Sequence, residues 1–244
     1  MQVYPLWPQF CRLIMSTIES NLQHVRAEID STLSARSTSM RQTVTLVAVS
    51  KTKPESVIRE AFAAGQRAFG ENYVQEGVAK IEALSDLIRA GIEWHFIGPL
   101  QSNKARLVAT NFDWVHAVDR VKIAEALDRH RRGRPPLNVC IQVNVSGEAS
   151  KSGIAPANTL ALALAFKAFP AMRLRGLMTI IENTPDAAAQ RSQFRMLREL
   201  QNQLLNAGLT VDTLSMGMSQ DFRIAIDEGS TMVRIGSAIF GARN

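Results

Sequence analysis

The chain has 244 residues, 46% hydrophobic and 20% charged, with a formal charge of +6 and only two cysteines. That length holds one or two domains with a large core, and the composition excludes disordered, collagen-like and low-complexity classes. Cys11 and Cys140 lie far apart, so neither a disulfide framework nor a cysteine metal cluster is expected, and a reducing cytoplasm fits.

Residues 1–14 place Pro5, Pro8 and the aromatic Tyr4 and Trp7 ahead of Arg12, the reverse of a signal peptide's order. They are expected to form a poorly structured extension, with Met15 as a natural second start and residues 15–244 as a single domain. A helix is predicted from Ser16 to Ser34, where Ile18, Leu22, Val25, Ile29 and Leu33 recur at helical spacing. The β-branched run Val44–Val49 reads as a buried strand, followed by a helix from Pro54 to Ala64 that Gly65 closes.

The alternation then repeats. Strands are predicted at Arg67–Asn72, Glu93–Ile97, Asp113–Val118, Asn138–Val145, Leu174–Ile180, Thr213–Met216 and Met232–Ile235. The helices between them run through Arg89, then Asn103–Ala109, Val121–Arg131, Pro156–Phe169, Pro185–Asn206 and Ser219–Glu228, with a terminal turn at Ile239-Phe240. The dense basic run Arg129–Arg134 ends one of these helices and reads as a solvated cap, since cations favour a helix C-terminus. No aromatic residues interleave with it, so it does not make a stacking platform for nucleic acid. No apolar segment reaches the roughly 18 residues that a membrane crossing needs.

Eight strand–helix units imply a parallel sheet, and at this length they imply a (β/α)8 TIM barrel with one extra N-terminal helix. The competing doubly wound sheet lacks its glycine-rich dinucleotide fingerprint here.

In such a barrel the chemistry sits where strands end. Lys51 closes a strongly apolar strand. It is either a lysine reaching out to solvent or a partly desolvated nucleophile able to form a Schiff base. The loops after the last two strands, Ser215–Gln220 and Arg234–Ala238, occupy the usual phosphate position of this fold. Their Gly217, Gly236 and Ser237 permit close backbone approach, and Ser215 adds a hydroxyl. His95 precedes the Gly98-Pro99 turn and reads as a structural histidine, and no histidine has metal-ligand spacing.

Several long motifs then carry a resemblance. They are Val47-Ala-Val-Ser-Lys-Thr-Lys-Pro54, Phe69-Gly-Glu-Asn-Tyr-Val-Gln-Glu76, His95-Phe-Ile-Gly-Pro-Leu-Gln-Ser-Asn-Lys104, Ser150-Lys-Ser-Gly153, Leu214-Ser-Met-Gly-Met-Ser219 and Gly229-Ser-Thr-Met-Val-Arg-Ile-Gly236. Over about residues 16–243 the chain resembles the pyridoxal phosphate homeostasis protein family. The resemblance implies pyridoxal 5′-phosphate bound as an aldimine to Lys51, with Ser215, Gly236 and Ser237 around the phosphate. It implies Arg234 facing the pyridine nitrogen, Asn72 beside the ring, and Lys53 and Lys151 handling the cofactor. The family often has threonine where Ser237 stands, and the lysine-rich tail of some members is absent.

A permanently charged Arg234 at the ring nitrogen disfavours the protonated electron sink that carbanion chemistry needs. Racemases with a similar barrel add a second domain bearing a catalytic tyrosine, whereas this chain has only Tyr4 and Tyr73. The expectation is a non-enzymatic, cytoplasmic protein that buffers the cofactor or delivers it to apoenzymes. An amino-acid racemase or lyase is the alternative. A monomer is expected, with a dimer as the other possibility, and neither nucleic acid nor membrane as partner.

Overall fold

A computed structural model describes residues 17–36, 43–148 and 151–241, so the expected extension at 1–14 lies outside the described residues. Helix α1 (Thr17–Ser34) comes first, with Leu22, Val25 and Ile29 buried on one stripe. Eight strand–helix units follow. They are β1 (Thr45–Val49) with α2 (Glu55–Ala63), β2 (Ala68–Glu71) with α3 (Val74–Ala83) and the short α4 (Ser85–Ile88), and β3 (Glu93–Phe96) with α5 (Ala105–Asn111). Next come β4 (Trp114–Val118) with α6 (Val121–Arg131), and β5 (Leu137–Gln142) with α7 (Thr159–Ala165). The last three are β6 (Met172–Met178) with α8 (Ala187–Asn206), β7 (Thr213–Ser215) with α9 (Phe222–Asp227), and β8 (Met232–Ile235) with α10 (Ser237–Phe240). The strands close into a parallel barrel in chain order, with β1 pairing β8. The (β/α)8 barrel with an extra N-terminal helix is therefore what the chain builds.

Several boundaries differ from the sequence reading, each for a local reason. The strand expected through Val145 ends at Gln142, because Asn144 folds the chain back on itself. Its Oδ1 accepts from the Gly147 N–H at 3.1 Å and from Ser146 Oγ at 3.1 Å, a side-chain turn that competes with the ladder. The basic run ends α6 as expected, with Arg129, Arg132 and Arg134 exposed, but Arg131 departs from that reading. Arg131 is buried and donates to the carbonyls of Ala109 and Phe112 at 2.8 Å each and of Pro135 at 2.6 Å. Arg134 reaches the carbonyl of Thr110 at 2.8 Å. Two arginines thus satisfy carbonyls at the end of α5 that have no partner within their own helix.

The main core fills the space between sheet and helices. A second buried cluster of Val47, Ala68, Trp114, Ala117, Cys140, Met178 and Met232 fills the barrel lumen. There the Cys140 thiol is pushed up to about 12 by burial and stays protonated. Helix α1 packs on α2, α9 and α10, across the seam where β8 meets β1. Asn21 donates to the Ile239 carbonyl at 2.9 Å, and Arg223 pairs with Glu28.

Candidate functional site

Alternation along β1 determines what Lys51 does. Leu46 and Ala48 join the helix-facing core while Val47 joins the lumen, so Val49 and Lys51 continue the inward set. Both line a cavity of about 720 Å³ at the C-terminal mouth of the barrel. That volume suits a cofactor-sized ligand. A four-residue turn follows the strand, closed by the Lys53 N–H donating to the Ser50 carbonyl at 3.1 Å. Its third residue, Thr52, has φ +62°. A β-branched residue in that region costs roughly 1–3 kcal/mol and persists only where its surroundings impose it.

Five of the six residues singled out from the sequence meet in this cavity: Lys51, Asn72, Arg234, Gly236 and Ser237 line it, as do Lys53 and Lys151. Lys151 forms an ion pair with Glu148 at 2.8 Å, which holds that carboxyl below its ordinary range. The Asn72 side-chain oxygen is buried with no hydrogen-bond partner among the described residues. Gly98 passes against the Asn72 backbone so closely that a Cβ there would stand 2.2 Å from the Asn72 carbonyl oxygen. This is the physical reason for glycine in the turn after β3. Ser237 Oγ lies 3.2 Å from Ser219 Oγ, joining the loops that follow β7 and β8.

Ser215 is placed differently. It is fully buried beneath the cavity, and its hydroxyl is engaged by Arg234 at 2.8 Å and by His116 Nδ1 at 2.9 Å. Arg234 is also buried. It donates to the Ser215 carbonyl at 2.6 Å and the Thr179 carbonyl at 2.8 Å, so three acceptors fix the plane of its guanidinium. Burial lowers its pKa to about 10, which still leaves it cationic at neutral pH. Tyr73 is half exposed ahead of α3 and does not line the cavity.

A chain of polar groups continues from Arg234 down the lumen, which sequence reading missed. His116 Nε2 lies 3.0 Å from His95 Nδ1, and His95 Nε2 lies 3.2 Å from Glu93 Oε2. Both ends of the chain dictate its direction. Arginine only donates, so Ser215 Oγ accepts from it and donates its own O–H to His116 Nδ1. His116 then donates from Nε2 to His95, and His95 donates from Nε2 to the carboxylate of Glu93. Glu93 fits as the terminal acceptor: the His95 hydrogen bond lowers its pKa, and Trp114 Nε1 also donates to it at 2.8 Å. Burial pushes His116 well below the usual histidine range, with His95 and Arg234 adding to the shift, so it is neutral. The available signal was the period-two spacing of Glu93, His95 and Ile97 on one strand and of Trp114 and His116 on the next.

These features define a class: a barrel with a strand-end lysine, a buried arginine and a small-residue loop pair around one mouth. The family model for the N-terminal domain of alanine racemase matches residues 21–244. The pyridoxal phosphate homeostasis protein of Pseudomonas aeruginosa is 57% identical over 231 residues, covering 94% of this chain and 97% of that protein. Its Escherichia coli K12 counterpart is 53% identical over 236 residues, covering 94% and 98%. The solved structure of PipY from Synechococcus elongatus with PLP bound superposes with a TM-score of 0.80 at 38% identity, covering 92% of this chain and all of that one. The chain belongs to the pyridoxal phosphate homeostasis protein family.

Proposed function

We propose that this chain binds pyridoxal 5′-phosphate at the barrel mouth, anchored covalently through Lys51, and holds it for buffering or delivery without turning over amino acids. The observation that carries this reading is the convergence of Lys51, Arg234 and the Gly236-Ser237 loop on one cavity. The residues present fit the cofactor. The buried, unpartnered oxygen of Asn72 can accept a hydrogen bond from a ligand. At Gly236 a Cβ would stand 3.1 Å from the Val49 carbonyl, so glycine leaves room for close backbone approach. When bound, the cofactor supplies an aldehyde carbon open to a lysine amine and an electron-withdrawing ring.

Each group of the chain then has a role. Lys51 supplies the amine. The Ser237 and Ala238 amides that open α10 suit a phosphate, while those of Ile239 and Phe240 donate to the Gly236 carbonyl at 3.0 and 2.9 Å. Asn72 orients the ring. The immobile, cationic Arg234 disfavours a second positive charge on the ring nitrogen, which weakens the electron sink that carbanion chemistry draws on. Lys53 and Lys151, on the same cavity, suit transient acceptance of the aldehyde during release. The cytoplasmic setting, the recipient apoenzymes and a monomeric state belong to this reading as well.

Borohydride reduction of the loaded protein followed by peptide mapping is expected to label Lys51. A label on Lys53 or Lys104 would overturn the assignment. Loaded protein is also expected to reconstitute an apo-transaminase without racemising alanine or other amino acids. Robust racemisation that is lost in Lys51→Ala would make it an enzyme instead.

A further inference from the structure

On the helix side of the strand ends, outside the cavity lining, Lys80 of α3 is buried with its ammonium on three oxygens. These are the Ser50 carbonyl at 2.7 Å, Glu71 Oε1 at 2.9 Å and Glu76 Oε1 at 2.6 Å. Glu71 Oε1 also accepts from the Ser50 hydroxyl at 2.6 Å, and Glu76 Oε1 accepts from the Thr52 N–H at 2.5 Å. The cluster therefore grips the residue before Lys51 through its carbonyl and its hydroxyl, and the residue after it through its amide. The amide it grips belongs to the one non-glycine residue of positive φ among the described residues.

A buried ion cluster is weak evidence for stability, because well-packed apolar residues can fill such space at least as favourably. What ions and hydrogen bonds add is direction, and here the direction converges on one turn. Glycine would adopt the φ of Thr52 freely. Threonine must be held there, and Glu76 holds it. We propose that Lys80, Glu71 and Glu76 are positioning residues for Lys51, clamping its turn from beneath so that the amine is presented to the cavity before any ligand arrives. The proposal rests on the reading of Lys51 as the covalent anchor, and it adds a device that fixes the anchor's approach.

The test uses the full chain, with free pyridoxal 5′-phosphate as the probe. Readouts are the absorbance change on mixing followed over time from pH 6 to 10, borohydride mapping, and a thermal melt. Glu76 is partly exposed, which favours folding of its variants. Glu76→Ala is expected to slow attachment on the order of tenfold, as misplacement of a reacting group does, while melting cooperatively. Glu76→Gln keeps an oxygen for both Thr52 and Lys80 and is expected to restore most of the rate. In a Thr52→Gly background the turn no longer needs imposing, so the loss caused by Glu76→Ala is expected to shrink.

If Glu76→Ala does not melt cooperatively, the comparison of Glu76→Gln with wild type and of the Thr52→Gly pair decides. Wild-type attachment rates and pH profiles in Glu76→Ala, or an equal loss in the Thr52→Gly background, would overturn the clamp. Absence of a Lys51 label in the wild type would instead remove the anchor assignment itself, an outcome that mapping distinguishes from the first.

Discussion

At the scale of single residues, Ser215 separates two roles that lie close together in sequence. A serine at the end of β7 suits a phosphate loop, yet its hydroxyl turns inward between Arg234 and His116. Ser215→Ala is therefore expected to cost about 1–2 kcal/mol of stability, since it leaves the buried histidine nitrogen without its donor. Affinity for pyridoxal 5′-phosphate is expected to change less than threefold, because the cavity lining stays intact. Urea unfolding and a binding titration on the same preparation check both halves. A tenfold weaker affinity with unchanged stability would return the hydroxyl to the cradle. Lys51 was legible because its strand is apolar and alternation sends every second residue inward. Ser215 was not: β7 is only three residues long, too short for its own register to be read.

At the scale of elements, the arginines around the end of α6 show how composition misleads about exposure. Arg131 looks like one of several surface cations, but the chain turn at Pro135-Pro136 brings it under the end of α5. Arg131→Ala is expected to destabilise the protein by about 3 kcal/mol, since three carbonyls lose a charged donor in a buried setting. Arg132→Ala, whose side chain is largely exposed and pairs with Asp128 at 3.3 Å, is expected to cost less than about 1 kcal/mol. Equal losses in the two variants would contradict the capping role. Helical and strand periods placed the order of elements correctly, because each unit buries a continuous stripe. Ends proved less legible where side chains took over from the ladder, as Asn144 does after β5. The break between α3 and α4 at Leu84 likewise has no marker in glycine or proline.

At the scale of the whole molecule, the lumen couples stability to acidity. His116 titrates lower in the fold than in the unfolded chain, so above about pH 6.5 neither form binds the proton. As pH falls below that, the unfolded chain takes it up first. The stabilisation is therefore lost at up to about 1.4 kcal/mol per pH unit until the native value is reached. His116→Gln, which can still link Ser215 to His95, is expected to flatten that slope when urea midpoints are compared at pH 7 and pH 5. An unaltered slope would mean that His116 does not titrate lower in the fold than in the unfolded chain. We also propose that residues 1–14 are dispensable, because the first buried residue of α1 is Leu22. A chain starting at Met15 should melt within a few degrees of the full one, and a large fall would show that the extension packs on the barrel. The position of α1 over the seam carries a consequence for biogenesis. Two of its partners, α9 and α10, emerge last from the ribosome, and Asn21 waits more than two hundred residues for Ile239. Until then the part of α1 that faces α9 and α10, and the edge of β1 that pairs with β8, stay uncovered, a long-range closure that slows folding and invites association. Nascent chains arrested before β8 should accordingly be captured by holdase chaperones through their first helix, and should release when the final strand is completed.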